Sequence, residues 1–488
     1  MSKITVGLFS LLTIGIIFSY RLTAVPPGLT VDEVAFGYNA TLLAKTMYDQ
    51  NGRFMPFFVH AIEGQQWLQP ITQYFISGFF KLFGASVFNL RLTSVVVTLI
   101  SVSLLYLLAS KLNRNIFAFV ASLIFLTTPL IMIQSHMALD NIMTIPFTIL
   151  WLVGLFLYDK TKKHRYLVLA GISLGIGFYT YKGMRAIVPV WSALTLGYLG
   201  WSLIKKPLTQ KSLRPLFYFS FSLLPFALII PYFRSAYPGA VFAGARPTLM
   251  PWYEYLYPYL SSFDLTFLFI KGDATLYHST GRHGMFLLAT LPFFLVGIYQ
   301  AITKGKFWLL VVVSFFTAPL FYGVVGSVHR ASRIMAIIPL YSLIASLGVT
   351  WLWEYKKWVV NLKALVVLIS VLGALNYYDF LKYYWFEYPK FTENVFGNLK
   401  NNESYKILAE ESEKRSLTPY ITQNLYKGDG EHAHFYEAIY FDNKVEIIDN
   451  DMASAPKGGI LLSNREYVEG MERVEIKMPA YYLHTTPE

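Results

Sequence analysis

Apolar stretches of about twenty residues recur from Ile4 to Leu375, and such a chain has few ways to satisfy its backbone in hydrocarbon. Only helices pair every N–H and C=O inside one segment, so the pattern imposes a mainly α, polytopic membrane protein. Candidate spans lie near 4–20, 88–110, 115–134, 139–158, 166–182, 186–204, 215–234, 285–303, 307–323, 334–353 and 358–376, about eleven in all. FSYRLTAVPPG offers no small-residue cleavage site, so the first stretch reads as an uncleaved span.

The net charge of +12 invites a nucleic-acid reading, which its distribution removes. Up to Phe386 there are 30 Lys/Arg against 11 Asp/Glu, whereas Glu387 to Glu488 holds 11 against 18. The basic excess belongs to the membrane part. With the N-terminus in the cytoplasm, the inside loops become KLNRN, DKTKKHR, KKPLTQKSLR, TKGK and EYKK, all rich in Lys or Arg. One orientation satisfies every loop. The segment Ile71 to Gly84 is too short for a span and would invert the loops if counted, so it should lie along the outer interface.

The outer face then receives Arg21 to Phe88, the QSHMALD turn, TYKGMR, Arg234 to Gly284, SVHRASR and the tail. Residues 1–385 form the transmembrane domain, and 386–488 a small extracytoplasmic α/β domain. In the tail, ILAEESEK reads as an amphipathic helix, while HFYEAIYF, KVEII, GGILLS and RVEIKM alternate like strands. Gly171 and Gly175 make a G-x-x-x-G spacing that suits close helix packing better than phosphate binding.

GLTVDEVAFGYNA, from Gly28, sets two adjacent acids just past the first span. Thr30 and Glu33 have capping-box spacing, with Phe36, Ala40, Leu43 and Met47 as the apolar stripe of a helix lying on the membrane. That role absorbs Glu33 and leaves Asp32 available for chemistry. Arg91, Asp140, Lys182, Arg185, Arg330 and Arg333 sit where the same face meets the spans, at a depth where ionisable groups are costly. Each alone reads equally as a snorkelling anchor; their convergence is the signal. Acids beside fixed cations suit deprotonation of a nucleophile and stabilisation of an anionic leaving group, above all a phosphate. The Glu431-His432-Ala433-His434 run supplies too few metal ligands, and His278, Arg282 and His283 read first as ordinary loop residues. No Walker loop, H-E-x-x-H or nucleophile elbow occurs.

These residues resemble the GT-C glycosyltransferases, in the branch of protein O-mannosyltransferases and lipid A aminoarabinose transferases. The resemblance runs through Asp32-Glu33, Trp67 to Ile71, Phe83 to Leu92 and the Asp140 turn, and again in GRHGMFLLATLPFFLVG and HRASRIMAIIPL. It implies a GT-C fold with outer juxtamembrane helices roofing a cavity, and transfer of a sugar from a polyprenyl-phosphate donor to a lipid, glycan or protein acceptor. It also implies inversion on the extracytoplasmic side, and needs no cofactor, metal or nucleic acid. By the same resemblance Asp32 is the base or acceptor-orienting acid, Glu33 its substrate-binding neighbour and Asp140 a second acid. Arg91 would contact the lipid phosphate, helped by Lys182, Arg185, Arg330 and Arg333, while Trp67 and His329 would meet substrate. Relatives often read Lys-Pro-Pro-Leu where this chain has Leu68-Gln69-Pro70-Ile71, so another cation must replace that lysine. A transporter or flippase is the alternative, but its charges should sit mid-membrane in two related halves. A scaffold would leave Asp32 and Arg91 dispensable.

Overall fold

The computed structural model describes residues 3–61, 66–201, 209–242, 251–326, 328–355, 361–396, 399–442, 444–449 and 458–486. Parts of the expected basic loops, at 202–208 and 356–360, lie outside the described residues. The chain divides into two units. One comprises Met1–Tyr20, Gln69–Thr72 and Ser94–Glu387; the other comprises Arg21–Leu68, Gln73–Thr93 and Tyr388–Glu488.

The first unit is helical. Among the described residues six helices are long and apolar enough to cross a membrane, or seven if the bent pair Asn115–Leu126 and Pro129–Ser135 is one span. Three other expected spans fall on the shorter apolar helices Gly7–Ser19, Arg165–Phe178 and Leu288–Thr303, and a fourth on the Pro-containing helix Met184–Trp201. Their outward surfaces are apolar: Phe217 and Phe221 are each 60% exposed, Leu228 67% and Leu375 60%. A water-facing helix would carry charge there, so these faces suit lipid.

Close helix contacts explain several glycines. A Cβ on Gly297 would lie 1.9 Å from the Ile344 carbonyl, and one on Gly348 the same distance from that of Phe293, so Leu291–Thr303 and Ile338–Glu354 meet backbone to backbone. Gly171 and Gly175 of Arg165–Phe178 make room instead for side chains, the Ser222 hydroxyl and the Phe226 ring of Gln210–Leu228. Their spacing serves packing. Trp151 and Trp191, both fully buried, stack at 4.9 Å and donate to Thr195 Oγ1 and the Ser314 carbonyl.

In the second unit a hairpin pairs β1 (Val59–Ala61) with β2 (Gln66–Leu68). A five-stranded sheet contains β3 (Thr418–Thr422), β4 (Glu446–Ile448), β5 (Gly459–Ser463), β6 (Glu472–Arg473) and β7 (Tyr482–Thr485), in the order β4-β3-β5-β7-β6. The helix Leu399–Arg415 and the strands at KVEII and GGILLS match expectation, whereas of RVEIKM only Arg473 falls in a strand, the two-residue β6. HFYEAIYF is corrected from strand to helix, Glu431–Tyr440. His432, Ala433, Phe435, Tyr436 and Ala438 form its buried stripe, a helical spacing that the aromatic alternation disguised. This helix packs on Val31–Thr46, where the Phe435 ring fills the space a Cβ on Gly37 would need, 2.8 Å away. Phe36, Ala40 and Leu43 are therefore covered by protein rather than spread on a bilayer, while Met47 becomes the left-handed C-cap.

Candidate functional site

In the second unit the site begins with a helix start. Thr30 Oγ1 accepts from Glu33 N at 3.1 Å, and Glu33 Oε2 accepts from Thr30 N at 3.0 Å, the reciprocal capping box expected from the sequence. Glu33 is fully buried and pairs with Arg91, also fully buried, at 3.0 Å. Arg91 Nη1 donates to the Leu22 and Pro26 carbonyls at 3.0 Å each, and Nη2 to the Gly28 carbonyl. The guanidinium thus ties residues 22–28 to the helix that follows them.

Asp32, one residue before this anchor, is exposed at the first turn, where the helix dipole favours its anion. Arg91 itself is closed off from any headgroup in this structure, so its geometry suits positioning better than the phosphate contact expected of it. Trp67 is half-buried in β2 and stacks on His60 across the hairpin at 4.3 Å, with the Arg53 guanidinium 5.8 Å from its ring. Burial, with help from Arg53, holds the His60 imidazole below its ordinary value.

In the first unit the Asp140–Met143 turn packs against Ala331–Ile337, and a Cβ on Gly183 would lie 3.3 Å from the Arg333 carbonyl. The structure therefore gathers Asp140, Lys182, Arg185, Arg330 and Arg333 into one neighbourhood. Arg185 is buried, donates to the Ala240 and Val241 carbonyls and to Gln69 Oε1, and feels the Asp140 charge. Lys182, Arg330 and Arg333 are half-exposed.

Arg330 is steadied by Asp273, whose fully buried carboxylate lies 3.8 Å from Nη1. The other Asp273 oxygen accepts from Ala331 N, and the first also accepts from Thr275 N at 2.8 Å. His329, in a left-handed conformation, stacks on Phe267 at 5.2 Å and sits 3.3 Å from Asp264, so its ring is already engaged within the loop. His278 Nδ1 meets the Nε2 of fully buried Gln134 at 2.8 Å. Burial lowers its pKa; Asp273 opposes that and the two arginines reinforce it.

Sequence reasoning missed Gln69, Asp273 and Gln134 because an amide or a lone acid in a polar loop carries no signal of its own. In the sequence the QSHMALD turn and His278 stand far apart, and only the fold joins them. His432 donates to the Leu29 carbonyl and His434 meets the Tyr426 hydroxyl. Among the described residues no three His, Asp or Glu side chains gather in a way that would hold a metal ion.

Residues 68–233 match the dolichyl-phosphate-mannose-protein mannosyltransferase family, a stretch that takes in Arg91, Asp140, Lys182 and Arg185 but not Asp32. An undecaprenyl phosphate-alpha-4-amino-4-deoxy-L-arabinose arabinosyl transferase from Wigglesworthia glossinidia brevipalpis is 31% identical over 140 residues. That match spans 26% of this chain and 24% of the curated relative. The apo crystal structure of ArnT from Cupriavidus metallidurans superposes with a TM-score of 0.55 at 11% identity, covering 100% of both chains. The same protein bound to undecaprenyl phosphate gives 0.54 at 11% identity, with 99% of each chain covered. The chain has the fold of these ArnT structures, and over part of its length its sequence is similar to the dolichyl-phosphate-mannose-protein mannosyltransferase family and to an aminoarabinose arabinosyl transferase.

Proposed function

We propose that this protein is an integral membrane glycosyltransferase that moves a sugar from a polyprenyl-phosphate donor to an acceptor hydroxyl on the extracytoplasmic side. The observation that carries this reading is the exposed Asp32, held at a helix start by the buried Glu33–Arg91 pair. The undecaprenyl phosphate in the similar ArnT structure supports the donor class. The charge pattern of the loops supports the orientation, with residues 386–488 outside.

In this mechanism the acceptor oxygen attacks the anomeric carbon and its proton passes to the Asp32 carboxylate. The anomeric C–O bond breaks with its electron pair on oxygen, and polyprenyl phosphate departs. Displacement from the far side inverts the anomeric centre. Within the first unit, Lys182, Arg330 and Arg333 form a cationic group suited to a phosphate charge, and Arg330 is aimed by Asp273. Arg91, Glu33 and Arg185 act as positioning residues, and Asp140 sets the electrostatics around Arg185. Trp67, stacked on His60, is the aromatic side chain assigned to the sugar.

The test is to incubate purified protein with a panel of polyprenyl-phosphate sugars and an acceptor extract and to measure release of polyprenyl phosphate. Release with at least one donor that is abolished in Asp32→Asn is the expected result. Vectorial movement of the intact lipid-linked sugar with no release would establish a flippase instead.

A further inference from the structure

The second unit contains a cavity of about 270 Å³ that the transfer reaction leaves unused. Arg21, Lys390 and Lys400 supply its cations, Glu393 its one acid, and Ala24, Pro27 and Pro389 an apolar wall. Glu393 pairs with Lys400, and the lining holds three cations and one anion.

Part of its lining lies close in sequence to two apolar helices. Arg21 stands two residues beyond the apolar helix that ends at Ser19, and Lys390 eight residues beyond the apolar helix that ends at Lys382. A cationic cavity with apolar walls, built from segments that emerge from hydrocarbon, matches the chemistry of a phosphate head with acyl chains beneath it. Arg21 also adopts a left-handed backbone, φ 55°, and its carbonyl accepts from Ala24 N and Val25 N at 2.9 Å each. That turn holds both Arg21 and the Ala24 wall in the lining.

We propose that this cavity binds the phosphate head of an anionic membrane lipid. The proposal stands independently of the transfer reaction, since it uses neither Asp32 nor the arginines placed around Asp140.

The test is native mass spectrometry of the full chain released from mixed micelles holding equal phosphatidic acid and phosphatidylcholine, with inorganic phosphate as a separate arm. The wild type should retain phosphatidic acid about tenfold over phosphatidylcholine, as expected for a lining rich in Lys and Arg. The Arg21→Gln/Lys390→Gln/Lys400→Gln variant should bring the ratio close to one. Glu393→Gln removes the competing anion and should raise retention about two- to fivefold, a gain that misfolding cannot produce. An unchanged ratio in the triple variant, or no gain in Glu393→Gln, overturns the site. Equal occupancy by millimolar inorganic phosphate, with no advantage for the lipid, overturns the lipid assignment.

Discussion

Arg91 spends all five of its N–H donors on protein: two on Glu33 and one each on the carbonyls of Leu22, Pro26 and Gly28. Arg91→Lys keeps the charge but has only three donors, so at least two buried acceptors lose a partner. At about 1–3 kcal/mol for each, the substitution should cost about 2–6 kcal/mol. Arg91→Met and Glu33→Gln each leave an uncompensated charge at a fully buried position and should cost about 3–5 kcal/mol.

The double variant should lose less than the sum of the two, with a coupling of about 0.5–3 kcal/mol. Native-state hydrogen exchange of the Val34–Leu43 amides reads this directly, because the pair anchors the first turn of that helix. Additive losses, or Arg91→Lys exchange identical to wild type, would refute the claim that this guanidinium fixes the frame of Asp32.

Asp273→Asn should raise KM for the lipid donor more than it lowers kcat, since it loosens Arg330 without touching the proposed base. Gly348→Ala should cost about 1–3 kcal/mol or more, seen as a lowered Tm, because its Cβ meets a backbone carbonyl that cannot rotate away. Burial raises Asp429 above the ordinary carboxylate range despite hydrogen bonds from Tyr481 and Asn401. The folded state then binds more protons than the unfolded one, so stability falls as pH rises from about 3.9 through the raised pKa. Asp429→Asn should flatten that slope in hydrogen exchange of Leu399–Arg415. The chain has no native cysteine, so Lys163→Cys and Lys271→Cys can be labelled singly; they should react from opposite sides of sealed vesicles.

Local rules made the start of the site legible. Thr30 and Glu33 are three residues apart, and a capping box needs nothing beyond that spacing. Burial depths were not legible, because Arg91 reaches carbonyls more than sixty residues away and no sequence period encodes such partners. The tail was misread for a similar reason. EHAHFYEAIY carries strand-forming aromatics, and only the gap left by Gly37 explains why Phe435 belongs on a helix. Cations at the ends of spans were visible as a set, whereas their division between positioning and exposed roles depended on Gln69, Asp273 and Gln134.

The central claim is that Asp32 takes the acceptor's proton from a frame that does not itself depend on Asp32. Turnover of Asp32→Asn, measured at saturating donor alongside its Tm, tests this most directly. A fall of about 10²- to 10⁴-fold in kcat at an unchanged Tm is predicted, the usual worth of a positioned base. Full turnover by the folded variant would contradict it.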